Sequence, residues 1–437
     1  MGLRDPQRGG RRARAGPARG LAAPPARPRP PSRLTGIFNL ALLRLRDLRC
    51  LGAGTLLNSV GMMGEVVVLG WLALELTDSP FLVGVAMGAR SLPLFFVGVP
   101  AGVIADRVPR QKLLVATGVG QALTAGLMGA LTLLGAVSLG QLMLLTFLTG
   151  VFRGLEHAAR QSYAHDVVGA PGLVSGLAIL GVAMRAGWLL GSLGAGAIIA
   201  RHGSGRAYLF VAAAYLAGAL AMLPAREAAA VAPSAPDSIW RGVTRFVTAL
   251  HRDRMLLVLM ILTAGAEVLG FAHQALLPSL SRDVLHTGPE GLGLMNAARS
   301  VGGILALLAS IRGFTHGGGA LFVAVLLSFG GSLIGLGVAP YVLGFTGVVL
   351  VVLVANAAGA LADLLAQSLL QLRVPPHLRG RAGGAWVVAI GLAPLGQVQI
   401  GALASLFGVS AALGVSGLGL VALAGATALL YPRLRAL

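Results

Sequence analysis

Residues 81–112 read FLVGVAMGARSLPLFFVGVPAGVIADRVPRQK. The first 25 of them carry one charge, Arg90, before the run stops in a short charged turn. As a helix, at ~1.5 Å per residue, that run is about 37 Å long and can cross a hydrocarbon core of roughly 30 Å. The same reading applies along the chain. It marks spans at about 50–74, 81–105, 112–135, 139–159, 172–200 and 206–224 in the first half. The second half gives 255–280, 291–311, 318–338, 341–365, 383–406 and 409–431. Twelve such runs predict an all-α integral membrane protein.

Composition agrees. The chain has 437 residues, of which 56% are hydrophobic and 11% charged, with a mean hydropathy of +0.82. Soluble domains average roughly 25% charged residues, so a water-facing enzyme is excluded. A membrane β-barrel would alternate apolar and polar positions, and these runs do not. The net charge of +19 comes almost wholly from arginine, since Lys112 is the one lysine. With the N-terminus inside, Arg201, Arg206 and Arg282 fall outside, and Arg90, Arg185 and Arg299 fall within spans. The other basic residues lie on the inner side, which predicts both termini in the cytoplasm. A basic face toward anionic headgroups accounts for the charge without nucleic acid.

Residues 1–33, rich in Arg, Pro and Gly, read as a disordered cytoplasmic tail. Residues 34–224 form a first six-span bundle and 255–437 a second. The stretch 225–254 joins them, with Trp240, Phe246 and Leu250 alternating with Arg241, Arg245 and Arg252. That pattern predicts an amphipathic helix on the inner membrane face. The halves repeat one another. Gly84, Arg90 and Ser91 answer Gly293, Arg299 and Ser300, and Gln161-Ser162 answers Gln367-Ser368. Gly191 and Gly196 answer Gly396 and Gly401. The offsets stay near 205–209, as a parallel repeat of two pseudo-symmetric six-helix bundles requires.

Cys50 stands alone, so an internal disulfide or a cysteine metal site has no second ligand. Lys112 lies outside any Gly-Lys-Ser/Thr phosphate loop, and no Gly-x-Ser-x-Gly or His-Glu-x-x-His stretch occurs. No catalytic residue, metal site or cofactor is expected, and ATP-driven chemistry is excluded. A carrier driven by an ion gradient or by its cargo's own gradient remains.

The turn after the second span is the sharpest motif. Gly102, Asp106, Arg107 and Arg110 fall into the register of Gly-x-x-x-Asp-Arg-x-Gly-Arg-Arg/Lys, with Pro109 in the usual glycine place and the closing basic residue, Lys112, one position on. It resembles the signature loop of the major facilitator superfamily. The resemblance implies that fold, rocking-bundle transport, and an inner latch made by Asp106 with Arg107 and Arg110. Gly187, Gly191 and Gly196 in the fifth span are similar to the antiporter signature of proton-coupled exporters, with Ser192 replacing its proline. The same glycines also read as plain close helix packing. Residues 150–162 and 371–381 resemble the branch containing enterobactin-exporter-like and macrolide-efflux-like carriers.

Ionisable residues inside spans mark function by default, because burying them in lipid costs a few kcal/mol. Glu65 in the first span and Glu267 in the seventh are candidates for proton coupling or for a cationic cargo. Each is also readable as a hydrogen-bonded structural acid. Arg90 and Arg299, at matching places, are counter-ions, anchors for an anionic substrate, or structural pairs. Arg185 is expected to face the cavity, and His273 is a proton shuttle or a satisfied donor. Arg153, Glu156, Asn356 and Asp363 read as inner gate pairs between bundles. The sequence therefore predicts a monomeric carrier in a bacterial cytoplasmic membrane. It would export a small amphiphilic molecule, such as a siderophore, drug or metabolite, against proton entry. The alternatives are an uptake carrier or a lipid flippase on the same fold. A non-transporting sensor lacks the extra folded domain it would need.

Overall fold

The structure is a computed structural model that describes residues 39–227, 254–310, 318–373 and 391–434. Among these residues the chain is helical throughout, with no strand. The helices are α1 (Arg46–Thr77), α2 (Pro80–Arg107), α3 (Arg110–Leu133), α4 (139–168), α5 (170–202) and α6 (204–222). The second half follows with α7 (Arg254–Val284), α8 (Gly288–Ser310), α9 (Gly318–Val342) and α10 (Gly344–Arg373). It ends with α11 (Ala393–Phe407) and α12 (Val409–Leu430). The tail 1–33, the linker from 228 to 253, the turn 311–317 and residues 374–390, Trp386 among them, lie outside the described residues. So does the side chain of Asp106.

Local chemistry sets the helix ends. Ser79 caps α2 through a hydrogen bond from Leu82 N, with Pro80 in the first turn, where its missing N–H costs nothing. Ser138 and Gln141 close a capping box at the start of α4. Residues 139–222 run on as helix without a loop, turned twice by glycine. Gly169 has φ 64° and Gly203 has φ 81°, backbone that a side chain would strain. α4 and α10 run eight or nine residues past their predicted ends. Hydropathy registers only the apolar part, and both helices continue as polar turns, with His165 and Asp166 in one and Gln367, Gln371 and Arg373 in the other.

Eight described stretches are long and apolar enough to cross a membrane, and one of them, Gly172–Met222, holds both α5 and α6. Bulky apolar side chains on the rim, such as Leu123, Leu190, Leu350 and Leu418, stay exposed because their solvent is lipid.

The internal repeat is visible in the packing. Gly191 lies on the carbonyl of Val60 in α1, and its counterpart Gly396 lies 2.6 Å from the carbonyl of Val268 in α7, measured from an added Cβ. Gly84 and Gly401 meet where α2 crosses α11, and Gly293 and Gly196 meet where α8 crosses α5. These two equivalent crossings join the halves. They lie toward the end of the bundle that carries the α1–α2 turn.

Candidate functional site

The two acids that sequence treats alike differ in their surroundings. Glu65 is 3% exposed and accepts a 2.8 Å hydrogen bond from the Tyr215 hydroxyl of α6. Its Oε2 lies 3.6 Å from Arg90 Nε. Arg90 also donates to the carbonyl of Met62 at 3.2 Å, and Arg153 of α4 donates to the Arg90 carbonyl at 3.0 Å. Arg90 is therefore the counter-ion of Glu65 within the first half. Such a buried pair is strongly destabilised when one partner is lost, because the other keeps its desolvation cost without its attraction. Asn58 does not reach Glu65 and donates instead to Gln121 at 2.8 Å.

Glu267 is half-buried and makes no hydrogen bond or ion pair among the described residues. It stands in a π-helical stretch, Ala266–Gly270, followed by a 3₁₀ stretch, Phe271–Leu276, and by a second π stretch, Leu280–Val284. Such bulges concentrate at functional sites. α1, the equivalent helix, is unbroken over 32 residues. Carrying the Arg90–Arg299 offset to α7 sets Glu267 opposite Asn58 and Glu65 opposite Gln274, beside His273. The two acids are thus not symmetry mates. Glu267 sits about two turns nearer the Arg254 end of its span.

Among the described residues Glu267 has one charged neighbour, and that neighbour reaches across to the other half. Asp363 of α10 is within electrostatic range of Glu267 and of Arg185 of α5. The Arg185 guanidinium lies directly over Gly303 of α8, where a Cβ would overlap it, and 5.7 Å from the Trp188 ring. Arg185 therefore reaches from the first half to the second.

One layer further from the Arg254 end, Arg299 Nε donates to Asn356 Oδ1 at 3.1 Å and Nη1 to Asn296 Oδ1 at 2.7 Å. Asn356 Nδ2 lies 3.4 Å from His273 Nε2, and His273 Nδ1 lies 2.7 Å from the Gly270 carbonyl. His273 is fully buried with both ring nitrogens engaged, and it does not touch Glu267. Of the four residues expected as gate pairs between bundles, Asn356, Arg153 and Glu156 make their contacts among the described residues within their own halves, while Asp363 reaches Arg185 of the other half. Glu156 pairs with Arg160 one turn on, at 2.9 Å.

The glycines of α5 divide by role. Gly187 and Gly191 press onto the Leu56 and Val60 carbonyls of α1. An added Cβ at Gly196 would lie 2.7 Å from the Pro289 carbonyl of α8. Ser192, in the proline position of the signature, turns its hydroxyl back to the Leu189 carbonyl at 3.0 Å. In the loop motif, Gly102 lies in the last turns of α2 and Arg107 is exposed at its end. Arg110 is buried against Asp166 of α4, and Lys112 pairs with Glu227 at 3.0 Å on the surface.

Sequence reasoning missed a contact at the opposite end. Arg282, in the last turn of α7, pairs with Asp78 and donates to the Leu74 carbonyl at 3.2 Å. Phe81 N donates to Ser405 Oγ at 3.1 Å. These bonds tie one half to the other. All of them lie at the end carrying the α1–α2 turn, which is closed.

Two pseudo-symmetric helix bundles, crossing closely at one end and enclosing charged side chains at mid-depth, define a membrane transporter of the major facilitator class. The chain belongs to the family described as "Transmembrane secretion effector", which matches residues 37–437. It is 26% identical over 389 residues to the multidrug efflux pump Tap of Mycolicibacterium fortuitum, covering 85% of this chain and 92% of that one. It is 25% identical over 402 residues to the enterobactin exporter EntS of Salmonella choleraesuis, covering 89% and 94%. Among solved structures, nucleoside transporter NupG superposes with a TM-score of 0.70 at 14% identity, over 88% of this chain and 99% of that one. At that identity the superposition speaks for the fold.

Proposed function

We propose that this carrier exports a small amphiphilic molecule from a bacterial cytoplasm by alternating access, with proton entry as the driving force and Glu267 as the coupling acid. The observation that carries the reading is the contrast between the acids. Glu65 is committed to Tyr215 and Arg90. Glu267 has no bonded partner among the described residues and stands in an irregular helix within electrostatic range of Asp363, which in turn reaches Arg185. An acid that must take up and release a proton during each cycle needs that freedom. The names of Tap and EntS favour outward movement of a drug-like or siderophore-like cargo.

In this reading both termini are cytoplasmic, and residues 34–224 and 255–437 rock as two bundles about the linker 225–254. One chain suffices. The Arg185–Asp363–Glu267 group couples the halves. Asp363 pulls on Arg185 across the seam, and protonation of Glu267 relieves its repulsion with Asp363. Asp106, with Arg107 and Arg110, latches the inner face when the outer face opens. The Arg110–Asp166 pair fixes one part of that loop to α4.

Inside-out vesicles test direction and energy source together. Acidifying the lumen should drive accumulation of candidate cargo, and a protonophore should abolish it. Accumulation that instead requires an alkaline lumen would establish uptake.

A further inference from the structure

We infer that Arg299 is the anchor for a compact anionic group on the cargo, a carboxylate, sulfonate or phosphate, held ready by the Asn296 and Asn356 amides. The inference names the substrate class for the cavity and rests on the transport reading above.

The argument begins with the repeat. Arg90 and Arg299 occupy matching places, and Arg90 has Glu65 within 3.6 Å. Arg299 has no ion pair among the described residues. Two neutral amide oxygens hold Nε and Nη1. Nη2 makes no hydrogen bond among the described residues, and the side chain is half-buried. Amide oxygens fix the orientation of a guanidinium without neutralising it, so the site keeps a full positive charge and an open edge. That edge is suited to the two-point grip guanidinium makes on planar oxyanions.

Direction follows from the helix. At roughly 100° per residue, Arg299 falls between Gly302 and Gly303 around the axis of α8. Gly302 packs on α10, where an added Cβ would lie 3.0 Å from Ala357 N, and Gly303 faces Arg185 of α5. Arg299 therefore points between α10 and α5, into the space the two halves share. Glu267 and Asp363 lie about two turns, roughly 10 Å, closer to the α7 start. A bound anion at Arg299 is thus set apart from those acids.

The decisive substitution is Asn296→Asp. It places a carboxylate where an amide oxygen already sits 2.7 Å from Nη1, giving Arg299 the counter-ion it lacks while keeping side-chain size, and it gives up the 3.0 Å hydrogen bond from Asn296 Nδ2 to the Leu292 carbonyl. The probes are two aromatic amphiphiles matched in size, 2-naphthylacetate and 2-naphthylethylammonium, titrated into purified full-length protein. The wild type should prefer the anion. Asn296→Asp and Arg299→Gln should each weaken anion binding at least about tenfold and leave the cation unchanged. Asn296→Asp should still unfold in one cooperative thermal transition and bind the cation as the wild type does, and this separates anchoring from folding. Anion binding unchanged in both variants overturns the inference. So does saturation by sodium sulfate with no gain from the naphthyl group, which would mark an inorganic-ion site. Uphill transport of a cationic or neutral compound that survives Asn296→Asp would overturn the anchor and leave the exporter reading standing. Failure of every compound to accumulate in acidified vesicles would strike that reading instead.

Discussion

Gly84→Ala tests whether the glycine crossings belong to one conformation. In the closed arrangement a Cβ at residue 84 runs into the Gln397 carbonyl and lies 3.3 Å from the Gly401 Cα. The obstruction is backbone, which cannot rotate aside as a side-chain tip can. The helices must part by about 1 Å at the crossing, and overpacking of this kind costs about 1–3 kcal/mol. On the alternating-access proposal α2 meets α11 only when this end is shut, so the cost falls on the closed state. A shift of about 1–3 kcal/mol moves the closed-to-open ratio by about 5- to 150-fold. Gly181→Ala is the control, since its Cβ would meet nothing within 4 Å. Spin labels at Leu76 and Leu406, both exposed near this end, can be read by double electron–electron resonance in a Cys50→Ser background. Gly84→Ala should enlarge the long-distance population, and Gly181→Ala should not. An unchanged distance distribution with a lowered melting midpoint would show that the contact supports folding and is not specific to one state.

Two further substitutions probe the charged groups. Tyr215→Phe leaves buried Glu65 with Arg90 alone and should destabilise the protein by about 1.5–3 kcal/mol, read as an earlier thermal midpoint with proton coupling retained. Lost coupling at an unchanged midpoint would move the coupling role to Glu65. Asp78→Asn removes a partly exposed pair with Arg282, worth about 0.2–1 kcal/mol, so the same spin-label distances should loosen by no more than about fivefold in population. A complete opening would mean that this pair, and not the glycine crossings, holds the end shut.

The fold was legible because lipid imposes a length, and the chain repeats that length twelve times. The turns at Gly169 and Gly203 were legible as breaks in hydropathy. The extra turns of α4 and α10 were not, since polar helix beyond the bilayer carries no apolar signal. At the site, Arg90 and Glu65 were visible as charges in apolar runs, but Tyr215, 150 residues away, was not. Nothing in a local pattern rotates one helix against another. The amide fork around Arg299 depends on such rotation, as does the pairing of Asp78 with Arg282 across 204 residues. The bulges in α7 also escape sequence, because Ala266–Leu276 has the composition of ordinary helix. They set Glu267 in irregular helix while Glu65 stands in regular helix, a difference that the sequence repeat does not show.

The account stands most directly on Glu267→Gln in reconstituted vesicles. Uphill accumulation driven by an imposed proton gradient should disappear, while exchange of labelled for unlabelled cargo at equal pH continues at a comparable rate. Gradient-driven accumulation undiminished in Glu267→Gln would contradict the central claim.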